Sequence, residues 1–156
     1  MRIALSLLGA TMLVAAAPAA SAAPPSHTVD TAAVKAVLAD YVRTLESLDL
    51  KGSERLFTND STIFESGGSE GSYAHYLAHH MIPELSEFKS FRYRDHAVSV
   101  RFEGPLALAS ETYKYRIETK AGVVAERLGV ATSVLRKDHG RWRIMSMHNS
   151  SRHPPE

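Results

Sequence analysis

The chain has 156 residues, with 18 Lys+Arg against 17 Asp+Glu and a formal net charge of +1. A charge so close to balance argues against nucleic acid or an anionic membrane surface as the main partner. There is no cysteine, which excludes disulfides, thiol catalysis and Cys-ligated zinc or iron–sulfur centres, so any metal would rest on His, Asp, Glu or Tyr.

The N-terminus opens with Met1-Arg2-Ile3, runs through an apolar stretch from Ala4 to Ala17 and reaches Ala20-Ser21-Ala22. One basic residue, an apolar run and small residues before a cut read as a secretory signal peptide over residues 1–22, cleaved near Ala22. The protein is therefore expected to be exported, periplasmic or secreted. The apolar run is shorter than the about 20 residues that a membrane span needs, so no span is expected in the mature form. Residues 23–29 read as a flexible lead-in, 30–151 as one domain and 152–156 as a tail.

The first helix follows the lead-in, with Asp30 or Thr28 as its cap. Val34, Val37, Leu38, Tyr41, Val42, Leu45 and Leu48 recur at helical spacing as one apolar stripe. Lys51-Gly52-Ser53 ends it, Glu54 to Phe57 predicts a short second helix, Ser61 to Glu65 alternates like a strand, and Ser66-Gly67-Gly68-Ser69 reads as a loop. Ser72 caps a further helix reaching about Glu84 and tolerating Pro83 only near its end. Three turn signals, Glu103-Gly104-Pro105, Ala121-Gly122 and Asp138-His139-Gly140, then divide four β-rich stretches near 89–102, 106–119, 123–137 and 141–149. Tight turns between consecutive strands predict an antiparallel meander. Apolar residues on both faces of the last strand, Trp142 and Ile144 against Met145 and Met147, predict a second cover for the sheet and hence a homodimer.

This order of elements, with Leu56-Phe57-Thr58-Asn59-Asp60 before the first strand and Thr132 to Ile144 running into His148, resembles the nuclear transport factor 2-like superfamily and its SnoaL-like group. The resemblance implies an α+β cone, a curved antiparallel sheet wrapped around N-terminal helices with a pocket inside. Members of the superfamily include isomerases, dehydratases, cyclases, hydrolases and plain binding or dimerisation modules, and fold alone does not choose among them.

Histidines concentrate in Tyr73-Ala74-His75-Tyr76-Leu77-Ala78-His79-His80 and in Met147 to His153. At 100° per residue, Tyr73, Tyr76, Leu77, His80, Met81 and Glu84 share the more apolar side of their helix, which turns His80 inward. His75 and His79 stand four apart, a spacing at which two imidazoles can share a metal. In the last strand Trp142, Ile144, Ser146 and His148 share a face by simple alternation. His79, His80 and His148 are therefore the candidate ligands of zinc, copper or nickel. Glu65 alternates with Ile63 and, by resemblance, stands where the isomerases carry an acidic base. Tyr41 resembles the site of the oxyanion-stabilising tyrosine of the ketosteroid isomerases. Glu111 alternates with Ala109 and Tyr113, which predicts partial burial and a raised pKa. Tyr73, Glu111, Trp142 and Ser150 are expected at the ligand surface.

Three readings follow. One is an exported protein binding a small ligand or a divalent metal. Another is a cofactor-free isomerase, dehydratase or hydrolase using Glu65 or His80 as base, with His148 or Tyr41 facing the oxyanion. The last is a dimeric assembly module with a filled pocket.

Overall fold

The computed structural model describes residues 27–155, so the signal-peptide reading lies outside the described residues. Helix α1 (Thr28–Ser47) buries Val34, Leu38, Tyr41 and Leu45 along one stripe, as their three- and four-residue spacing requires. It stops ahead of Gly52, because Leu48 takes a left-handed φ of 56° and its N–H bonds back to Leu45. His27 occupies the cap position without a side-chain bond. Asp30 is engaged instead by the Trp142 Nε1–H at 2.9 Å and by Lys137 at 2.8 Å.

A 3₁₀ turn, Ser53–Leu56, leads into strand β1 (Phe57–Glu65). The Gly-rich segment expected to be a loop turns tightly at Ser66-Gly67 and returns as a short strand, β2 (Gly68–Gly71), paired antiparallel with β1. Gly67 has a φ of 92°, a backbone that side chains rarely adopt. The Ser72 hydroxyl caps α2 (Tyr73–Tyr76) by accepting the His75 N–H at 3.2 Å. The helix widens into a π turn, Leu77–Met81, before continuing as α3 (Ile82–Ser86). That widening falls directly ahead of Pro83, which has no N–H to continue the ladder.

Strands β3 (Phe88–Glu103), β4 (Leu106–Thr119), β5 (Val124–Asp138) and β6 (Arg141–Arg152) form the expected meander. The sheet order is β2-β1-β6-β5-β4-β3, and β6 runs parallel to β1 while all other neighbours are antiparallel. Helix α1 lies across β3 and β6, and the core between them includes Val34, Leu38, Phe57, Ile63, Leu135, Ile144 and Met147. The result is an α+β cone, a helix packed in the curve of a six-stranded mixed sheet. Among the described residues no helix is long and apolar enough to cross a membrane.

Two β-bulges set which side chains enter the cone. In β3, Arg94 pairs with Lys114 and Ala97 with Thr112, leaving Asp95 and His96 opposite Tyr113 alone. Asp95 takes a φ of 53° to make that bulge. In β6, Ile144 pairs with Leu135 and Ser146 with Val134, so Met145 is the extra residue. Each bulge advances the alternation by one, and every later side chain changes face. This corrects the reading of the last strand: Trp142, Ile144 and Met147 are all buried and His148 is exposed. The two-faced apolar strand on which the dimer expectation rested is one apolar face interrupted by a bulge.

Candidate functional site

A cavity of about 90 Å³ lies between α1, the helical run and the inner face of the sheet. Helix α1 supplies Tyr41, Val42 and Leu45, β1 supplies Glu65, and the helical run supplies Tyr76, Met81 and Glu84. The sheet adds Phe88, Phe91 and Tyr93 from β3, Glu111, Tyr113, Tyr115 and Ile117 from β4, and Met147, Asn149, Ser150 and Ser151 from β6. Five of the chain's six tyrosines are in this lining. The volume is below the about 150 Å³ that holds a benzene ring, so a ring-sized ligand would extend toward the mouth, where Glu84 and Ser151 are exposed.

Two carboxylates in the lining are held differently. Glu65 Oε2 accepts the Tyr76 hydroxyl at 2.5 Å and stands 3.5 Å from His80 Nε2. Glu111, only 7 % exposed, has its Oε2 2.8 Å from His96 Nε2. Burial pushes the Glu111 carboxyl above its ordinary value, and the hydrogen bond to His96 opposes part of that push. Glu84 is also raised, by burial first and against the pull of His80. The phenols of Tyr41 and Tyr93 are pushed well above the ordinary range, chiefly by burial, as are those of Tyr76 and Tyr113. All four are therefore hydrogen-bond donors near neutrality. Among the described residues no partner holds the Tyr41 hydroxyl, whereas Tyr76 is committed to Glu65.

The structure brings four of the sequence-derived candidates, Glu65, Glu111, Tyr41 and Ser150, into one lining. His80 stands at its rim, a third exposed, with Nε2 3.5 Å from both Glu65 and Glu84 and Nδ1 3.5 Å from Glu70. The remaining candidates lie elsewhere. Tyr73 is core: its ring stacks on Phe57 at 3.6 Å and its hydroxyl donates to Ser53 Oγ at 2.7 Å. Trp142 sits at the other end of the cone, 5.7 Å from Phe102 and bonded to Asp30. His79 is exposed against His75, and His148 faces outward in register with Phe64 and Thr132. His79, His80 and His148 thus do not converge, and among the described residues no group of three or more His, Asp or Glu is placed to hold a metal.

The residues that sequence reasoning missed include Phe91 and Tyr93 from β3, Tyr115 from β4 and Asn149 from β6 in the lining, and His96 behind Glu111. Tyr115 follows Glu111 and Tyr113 in plain alternation and was there to be read. His96 was not, because only the bulge at Asp95 turns it toward Glu111. Asn149 reaches the cavity lining for the converse reason: the Met145 bulge sends His148 out and Asn149 in.

Residues 34–154 match the family model described as the SnoaL-like domain. Among solved structures, a candidate scytalone dehydratase from Novosphingobium aromaticivorans superposes with a TM-score of 0.70 at 12% identity, covering 80% of this chain and 85% of that one. A ketosteroid isomerase-like protein from Erwinia carotovora atroseptica gives 0.68 at 19% identity, covering 81% and 99%. A nuclear transport factor 2-like superfamily protein from Salmonella enterica gives 0.68 at 17% identity, covering 81% and 94%. At these identities the likeness is one of fold. No protein of curated function matches the sequence.

Proposed function

The chain belongs to the SnoaL-like domain family, and from the cavity it builds in that fold we propose a cofactor-free acid–base site for a small carbonyl compound. The observation that carries this reading is the pair of carboxylates, Glu65 on Tyr76 and Glu111 on His96, opening into one cavity beside the unpartnered Tyr41 hydroxyl. Two carboxyl groups in unlike environments are what a site needs to take a proton at one point and give it at another. Glu65 takes a proton from the carbon beside the carbonyl, and the electron pair moves onto the carbonyl oxygen. Tyr41 donates a hydrogen bond to that oxygen as its charge grows. Return of the proton to another carbon isomerises the substrate, and loss of a hydroxide equivalent, protonated by the Glu111 carboxyl, dehydrates it. The names of the dehydratase and isomerase-like structural neighbours support this reading through fold alone.

The test is deuterium incorporation from D₂O into a panel of small ketones, followed by NMR. Exchange should persist in chelator and fall by on the order of 10² to 10⁴ in Glu65→Gln. Exchange that is abolished by chelator, or unchanged in the variant, rejects the mechanism and returns the cavity to simple ligand binding. Export and dimerisation belong to the same proposal. Export predicts a mature N-terminus near Ala23, read by N-terminal sequencing. The dimer is supported by Phe64 and Val130, 41% and 52% exposed, and sedimentation at micromolar concentration decides it.

A further inference from the structure

The cavity has a sign. Glu65, Glu84 and Glu111 face it, and among the described residues no Lys, Arg or His lines it. The two histidines of the site stand behind carboxylates, His80 at the rim beside Glu65 and Glu84, and His96 against Glu111. Beside His96 and Glu111 the inner sheet face is a floor of aromatic rings. Tyr93 and Tyr115 are direct cross-strand partners, Tyr93 and Tyr113 lie 4.7 Å apart, and Phe91 is 5.3 Å from both Tyr93 and Tyr115.

These two surfaces favour the same kind of guest. An aromatic face presents negative charge to a cation, and the attraction strengthens where water is excluded. A carboxylate ligand would lose its hydration beside Glu65 and Glu84, while a neutral ligand gains nothing from their charge. A bare metal ion is a poor fit, because apolar Leu45, Met81 and Phe88 fill much of the wall and the carboxylates do not converge on one point. We propose that the ligand of this cavity carries an organic cation, an ammonium group with apolar substituents, and that free acids are excluded. The proposal rests on the reading of this cavity as the ligand site.

The test is isothermal titration of the protein with choline, 3,3-dimethylbutan-1-ol and 3,3-dimethylbutanoate, which share one branched frame and carry charges of about +1, 0 and −1 near neutrality. Choline should bind at least about tenfold more tightly than the alcohol, a ratio that added salt reduces, and the acid should show no binding. Glu84→Gln should cut the choline-to-alcohol ratio severalfold with little change for the alcohol, and circular dichroism checks that the variant is folded. If the alcohol binds as well as choline, the cationic preference is overturned while the cavity remains a ligand site. If none of the three binds, the preference is likewise overturned, and deuterium exchange judges the acid–base reading separately.

Discussion

Glu111 shows how one side chain can carry both function and a cost. Its carboxyl is buried and raised, so the native state holds its proton to higher pH than the unfolded chain does. Stability from this group is therefore complete below the unfolded value and is lost as pH rises through the folded one. Glu111→Gln should remove that loss: its melting temperature relative to the parent should be higher at pH 8 than at pH 4. A parallel pair of melting curves would show no tethering to pH and so reject the burial argument. Ser53 makes a contrasting case, because it is fully buried and accepts the hydroxyl of Tyr73, itself buried. Burial raises the Tyr73 phenol to about 12, so it remains a donor. Ser53→Ala should cost about 1–3 kcal/mol through the orphaned phenol, measured by urea titration. Glu65, Glu111 and Tyr41 were legible in the sequence because each is reached by regular helix or strand periodicity. His96 and His148 were not, since the faces they occupy depend on residues that no periodicity predicts.

At the scale of elements, the meander and the main apolar stripe could be read from turn signals and spacing, because both follow from local chemistry. The β2 hairpin was hidden in its glycines and serines, which carry no strand pattern. The bulges were hidden because an extra residue looks like any other. Deleting Met145 tests their role directly. The deletion joins Ile144 to Ser146 opposite Leu135 and Val134 and leaves Met147 and Asn149 facing inward and His148 outward, so we expect a cooperative thermal transition by circular dichroism near the parent temperature. Loss of the transition would mean that the bend the bulge gives β6, and not only the face each later side chain takes, is needed for the fold. Gly129 has a related duty, because an added Cβ would come 2.1 Å from Tyr113 Cε2, and Tyr113 is its direct partner across β4 and β5. Gly129→Ala must displace that ring from the cavity wall, and we expect a loss of about 1–3 kcal/mol, as in other overpacked sites, with a changed environment for the Tyr113 ring by NMR.

At the scale of the whole molecule, the sheet is rich in pairings between residues far apart in sequence. Phe57 pairs with Ile144 and Ile63 with Met147, whereas β3, β4 and β5 join near neighbours. Such topology slows folding, because loop closure must precede the contacts that reward it. β6 also joins two otherwise separate walls: β1 and β2 lie on one side of it, and β5, β4 and β3 on the other. Glu65 belongs to the first wall and Glu111 to the second. The ribosome releases this joining strand after all the others. Until it is out, the nascent chain holds a hairpin and a three-stranded meander with no strand that pairs with both. The pair of carboxylates, and with it any chemistry they share, comes into being only once β6 has been made.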